Sequence, residues 1–115
     1  MNLKPLVAVT MGDPAGIGPE VTAKALLDEK LYTMCRPFVI GNAGAMEDAL
    51  QRITTTVSIR VVHCLEDVKD VNQSINVLDL ENLDYGTISY GQVSAQAGKA
   101  SVEWILKAGE LAADG

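Results

Sequence analysis

The sequence predicts an α/β fold with a mainly parallel sheet and flanking helices, and three observations predict it. Short, almost wholly apolar runs alternate with segments of helical period, the pattern of strands joined by helical crossovers. The chain is 48% hydrophobic with a mean hydropathy of +0.16, which supports a folded body rather than a disordered one. Only 4% of its residues are aromatic, so Val, Ile, Leu and Ala must fill the interior, as in sheets buried on both faces. At 115 residues the chain is at most one domain. A chain of that length buries roughly 65% of its unfolded surface, enough for a core without disulfides.

The elements follow in order. Pro5–Met11 is a nearly continuous apolar run that ends at a glycine, as a strand buried on both faces does. The glycine-rich stretch Gly12–Glu20 comes next, and Pro19 suits the first position of a helix because its missing N–H has no intrahelical partner there. That helix is expected to reach about Lys30. Its apolar residues Ile17, Val21, Ala23, Ala25, Leu26 and Leu27 form no single stripe, which predicts burial on more than one side. Arg36–Gly41 reads as the second strand, and Asn42 as the cap of a short helix with Met46, Ala49, Leu50 and Ile53 at i, i+3, i+4 and i+7. Val57–His63 is the third strand, Leu65–Asp70 a turn or single helical turn, and Ile75–Leu80 the fourth strand. A loop, Glu81–Tyr90, holds Asp84, Tyr85 and Gly86. From about Ser94 the pattern is helical, with Ala97, Ser101, Trp104, Ala108 and Leu111 on one face and Ile105 and Ala112 beside it. The final helix would normally hand over to another strand, so a single, incomplete α/β domain over residues 1–115 is expected.

The formal charge is −6, and no run of Lys or Arg offsets it, which argues against nucleic acid and anionic membrane surfaces as partners. The apolar stretch Leu6–Val9 is too short for a signal peptide or a spanning helix, so a cytoplasmic location is expected. Cys35 and Cys64 lack a C-x-x-C spacing and sit in or beside apolar segments, which predicts two buried free thiols. With one histidine, His63, next to Cys64 and so offering two adjacent ligands at most, neither a self-contained metal site nor a Ser-His-Asp triad is expected. His63 itself reads as a wet or hydrogen-bonded residue at a strand end.

Three glycines between a buried strand and a helix start bring backbone N–H groups and the positive end of a helix dipole together, which is the physics of a phosphate or anion site. The spacing here is G-x-x-x-G-x-G. It is not G-x-x-x-x-G-K-[ST], and it is not G-x-G-x-x-G, since Val21 stands where the last glycine belongs. Asn42 occupies the place of the ribose-binding acid of a dinucleotide fold. Gly98-Lys99-Ala100-Ser101 is not a Walker end, because Val93 takes the upstream glycine position. Two readings of the loop stand side by side. In one, the glycines are turn devices, Asp13 accepts backbone hydrogen bonds and Glu20 complements the helix dipole. In the other, the loop is a binding site.

Met11-Gly12-Asp13-Pro14-Ala15-Gly16-Ile17-Gly18-Pro19-Glu20 resembles the amino-terminal signature of the 4-hydroxythreonine-4-phosphate dehydrogenase (PdxA) family. The resemblance continues through Arg36–Gly41 and returns in Gly91–Ala113, including Ala97-Gly98-Lys99-Ala100. Cys35-Arg36-Pro37 and Gly41-Asn42 look more like the branch acting on D-threonate or D-erythronate 4-phosphate.

The resemblance implies the amino-terminal part of an isocitrate/isopropylmalate dehydrogenase-like fold, in a longer two-domain enzyme. It further implies a homodimer that uses NAD and a divalent metal to oxidise and decarboxylate a small phosphorylated hydroxy acid, one branch serving pyridoxine biosynthesis. The family's histidine metal ligands, its Gly-His-Thr segment and its lysine-bearing segment do not occur in this sequence, so no catalytic or metal residue is carried over. Gly12, Asp13, Gly16 and Gly18 are the candidate cofactor-side residues, by likeness to the Gly-Asp-Gly-Ile-Gly-Pro-Glu loop of the β-decarboxylating dehydrogenases, with Pro14-Ala15 as an insertion. The chain alone is expected to be inactive. Two rivals remain: a self-contained phosphate- or nucleotide-binding module, and an interaction domain that pairs through the Trp104 helix.

Overall fold

The computed structural model describes residues 4–14, 16–69, 73–83 and 95–113. Strands β1 (Leu6–Thr10), β2 (Arg36–Gly41), β3 (Ser58–Val62) and β4 (Ser74–Asp79) form one sheet in the order β1-β2-β4-β3. Every pairing is parallel, with Val9, Val39, Val77 and Val61 in one row across the sheet. Helices α1 (Gly18–Ala25), α2 (Leu31–Met34), α3 (Ala43–Gln51) and α4 (Ala95–Ala113) flank it, with a 3₁₀ turn at Leu65–Asp67. The expected fold class is therefore observed, and β2 has the bounds read from sequence.

Helix α1 packs on α3, and α3 on β3 and β4, whereas α4 packs on β1 and β2. The crossovers through α1 and α3 run in one direction across the sheet, so right-handedness places both on one face and leaves the other to α4. The burial of β2 agrees. Phe38 and Ile40 point to one face and Val39 to the other, yet all are buried. Trp104 of α4 is fully buried and belongs to the same core as Met11, Val39 and Met46. Buried Asn76 is satisfied, since its Nδ2 donates to the Lys69 carbonyl at 2.8 Å and its Oδ1 accepts from Arg60 Nη1 at 2.9 Å.

Several expectations are corrected. The first helix stops at Ala25 instead of running to Lys30, because Asp28 organises a new turn there. Its Oδ1 accepts from Lys30 N at 3.0 Å and its carbonyl from Leu31 N at 3.1 Å, which starts α2. Nor is α1 covered on more than one side, for Ile17 and Val21 are 68% and 57% exposed. On α4, Ile105 and Ala112 face solvent, while Ala100 joins the buried face instead. Cys35 is a buried free thiol as expected, but Cys64 is exposed. β3 ends at Val62, so the apolar run in the sequence outlasts the strand and Cys64 lies in the turn beyond it. The Asp84–Tyr90 part of the expected loop, and Ser94, lie outside the described residues.

Candidate functional site

In a parallel sheet the carboxyl ends of all strands lie along one edge, and ligand crevices form outside that edge. Here Met11 and Gly12 leave β1, Gly41 and Asn42 leave β2, and Asp79 to Leu83 leave β4 there. Met11 N still donates to the Ile40 carbonyl at 3.1 Å, so the pairing holds one residue past β1. Gly12 then turns the chain with φ +81°, a conformation that side chains oppose. Gly16 N donates to the Asp13 carbonyl at 3.1 Å and closes the turn. Pro19 and Glu20 stand in the first turn of α1, and Ile17 at its N-cap makes no side-chain capping bond.

The loop glycines differ in what they are for. A Cβ on Gly18 would overlap the Met11 carbonyl oxygen and stand 3.2 Å from Asp13 N, so α1 can start against the end of β1 only with glycine there. A Cβ on Gly16 would meet nothing nearer than 3.7 Å, ordinary contact with Asp13. The packing of the protein thus accounts for Gly18, and backbone conformation for Gly12, but neither demands Gly16. Asp13 is exposed, with its side chain beside Gly16, and Ala15 lies outside the described residues. The four candidate residues thus occupy a single loop. A shallow cleft beside it is lined by Pro14, Gly16, Pro19, Glu20, Asp48 of α3 and Arg52 just past that helix.

Two hydroxyls reach the carbonyls of this strand end from opposite helices. Thr22 Oγ1 of α1 stands 3.5 Å from the Met11 oxygen. Ser101 Oγ of α4 stands 3.2 Å from the Gly12 oxygen and 3.0 Å from the Ala97 oxygen of its own helix. Gly41 belongs to the same junction, since a Cβ on it would come within 2.6 Å of Met11 Cβ.

A polar cluster lies beside the loop, at the ends of β2 and β4. Asn42 Oδ1 accepts from Ala45 N at 2.9 Å, the expected cap, and its Nδ2 donates to the Leu83 carbonyl at 3.2 Å. Asn42 is thus absorbed by structure rather than left to meet a ribose. Asp79 takes Ala43 N on one oxygen at 3.0 Å and Glu81 N on the other at 2.8 Å. Asn82 Oδ1 accepts from Trp104 Nε1 at 3.1 Å, while its buried Nδ2 has no partner among the described residues. Sequence reading passed over Asp79 and Asn82, although an Asx residue directly after a strand is the signal for such a turn.

Trp104 is a core residue and not an exposed anchor for pairing. Among the described residues no three His, Cys, Asp or Glu side chains come together as metal ligands, and His63 lies exposed just past β3. The Cys64 thiol is pushed up by its hydrogen bond to the Asp67 carboxylate, at 3.3 Å, with Glu66 acting the same way. That thiol is kept protonated, the opposite of an activated nucleophile.

Residues 33–115 match the family model described as "Pyridoxal phosphate biosynthetic protein PdxA". Over all 115 residues the chain is 39% identical to a Symbiobacterium thermophilum protein named "Putative D-threonate 4-phosphate dehydrogenase", of which it covers 34%. A protein of the same name from Halalkalibacterium halodurans is 40% identical over 114 residues, again with 34% covered. Among solved structures, a 4-hydroxythreonine-4-phosphate dehydrogenase from Burkholderia phymatum superposes with a TM-score of 0.90 at 36% identity, over 98% of this chain and 34% of that one. One from Klebsiella pneumoniae gives 0.83 at 35% identity, over 96% and 34%. The chain therefore spans about a third of the length of these relatives, and across that span it belongs to the PdxA family of dehydrogenases.

Proposed function

We propose that this chain is the amino-terminal portion of a two-domain, NAD-dependent dehydrogenase that oxidises the hydroxyl of a phosphorylated hydroxy acid and releases carbon dioxide from the resulting β-keto acid. The observation that carries this reading is the signature loop Met11–Glu20 at the carboxyl end of β1, in a chain whose full length aligns with named dehydrogenases. The substrate is D-threonate 4-phosphate or its erythronate counterpart, or else 4-hydroxythreonine 4-phosphate in pyridoxine biosynthesis. NAD would act as hydride acceptor. Within this chain Gly12, Asp13, Gly16 and Gly18 form the cofactor side, and Gly16 is the most telling, since no packing contact among the described residues requires it to lack a side chain.

The described residues offer no donor set for the divalent metal, and the family's histidine ligands do not occur in this sequence, so that ion would be held by residues outside this chain. The assembled enzyme is proposed to be a cytoplasmic homodimer with its metal site in the remaining two-thirds of the polypeptide. By itself the 115-residue chain would be inactive. Mixing it with NAD, a divalent cation and each 4-phosphate substrate should yield no NADH, and turnover would overturn the inactivity. Calorimetric titration with NAD tests the loop, where binding should be lost in Gly16→Val while circular dichroism stays native. Equal binding by the variant would remove the loop from the cofactor site.

A further inference from the structure

We infer that Ser101 is the positioning residue of the glycine loop: its hydroxyl latches the Gly12–Asp13 peptide against a flip that the glycine would otherwise permit. The loop's role toward NAD rests on the reading above, whereas the latch rests on the geometry alone. Gly12 has φ +81°, and a peptide bond next to a glycine can rotate between two orientations because no Cβ opposes either. Within the trans peptide plane the Gly12 oxygen and the Asp13 N–H point in opposite directions. Whatever holds one therefore aims the other.

Ser101 Oγ is 3.2 Å from that oxygen, reaching it from α4 across 89 positions of sequence. With the oxygen held toward α4, the Asp13 nitrogen is on the side of Gly18, 3.2 Å from where a Cβ there would stand. A flipped peptide would turn a carbonyl oxygen to that side in place of an N–H. An oxygen there would join the Met11 and Asp13 oxygens, which already lie close to that same point, the second at 3.3 Å, and like partial charges would crowd together. The Met11 oxygen, one residue earlier, has its own hydroxyl neighbour in Thr22, so the flip is opposed specifically at Gly12 by Ser101. The competing account is that Ser101 serves only its own helix, since Ala97 O is 3.0 Å away and serine commonly bonds the carbonyl four residues back.

Ser101→Ala and Ser101→Thr separate the two accounts, read on the 115-residue chain by amide hydrogen exchange and backbone chemical shifts. The latch predicts that Ser101→Ala moves the Gly12 and Asp13 shifts and speeds exchange across Asp13–Gly18 by roughly three- to tenfold, the loss of one partly buried hydrogen bond. Exchange in the β2 and β4 core should not change, and Ser101→Thr, which keeps the hydroxyl, should restore the native pattern. An unchanged loop in Ser101→Ala overturns the latch and leaves Ser101 to Ala97. Titration of the native chain with NAD tests the other reading separately. If NAD leaves the Gly12–Gly18 amides unmoved, the cofactor role of the loop fails while the latch stands or falls on exchange. If NAD binds native and Ser101→Ala chains equally, the latch has no part in cofactor binding.

Discussion

A carbonyl oxygen decides which residue can stand at position 18. The start of α1 is pressed against the end of β1, and a single added methyl at Gly18 would occupy the space of the Met11 oxygen. Because that obstacle is backbone, relief requires α1 or β1 to move. Gly18→Ala should cost about 1–3 kcal/mol in urea denaturation, the usual range for overpacking. Gly16→Ala has room and should change stability by less than about 1 kcal/mol. Equal losses would mean that the two glycines share one structural role. The sequence shows both as loop glycines and does not separate them, since the difference lies in a contact between residues 11 and 18 made only on folding. Cys64 was illegible for a similar reason. Its apolar neighbours Val61 and Val62 are strand residues, but the strand ends before it. With Asp67 raising the thiol pKa, less thiolate exists at any given pH, so alkylation of Cys64 should rise at a higher pH than for a free cysteine. In Asp67→Asn the profile should shift toward lower pH, as followed by mass spectrometry with buried Cys35 as the slow internal control. An unshifted profile would mean that the carboxylate does not govern the thiol.

At the scale of elements, the start of α3 was readable, because a cap residue, an apolar period and a preceding strand agree with one another, although Ile53 of that period lies beyond the helix end at Gln51. Asn42 does two jobs there, capping Ala45 N and donating to the Leu83 carbonyl. Asn42→Ala removes both and should destabilise by about 1–2 kcal/mol in denaturation, the cost of a lost N-cap. Asn42→Asp keeps an acceptor for the cap but loses the donor and brings a second carboxylate near Asp79, which already holds Ala43 N. The aspartate variant should therefore remain below wild type at neutral pH, and a fully wild-type stability would show that the Leu83 bond contributes nothing. The end of α1 was not readable, since Asp28 can continue a helix or start an Asx turn. The choice fell to the turn, which lets α2 begin at Leu31 and the chain enter β2. The polar cluster of Asp79 and Asn82 escaped reading because the Ala43 N–H that Asp79 accepts and the Trp104 indole N–H that Asn82 accepts lie 36 and 22 residues away.

For the whole molecule, alternating apolar strands and helical crossovers imply a parallel sheet, but they leave the order β1-β2-β4-β3 undetermined, since that depends on where each crossover lands. The order leaves β1 and β3 at the edges of the described sheet. Val7 and Val61 point to the same face at opposite edges and are 40% and 47% exposed. On α4, Val102, Ile105 and Leu106 lie at i, i+3 and i+4 and are all more than half exposed, so they form one row on the helix face turned away from Trp104. An apolar row of this kind favours association, as does a strand edge without a partner among the described residues, while a net charge of −6 opposes it. The 115-residue chain should therefore self-associate in a salt-dependent manner, more strongly at high ionic strength where its charge is screened. Sedimentation velocity across a salt series measures this. Replacing Ile105 by Glu and Leu106 by Lys together should return the chain to monomer at every salt concentration. The same change should leave folding stability within about 0.5 kcal/mol, because neither side chain contributes to the core. Association that persists in the double variant would move its seat from the α4 row to the open edge of β1.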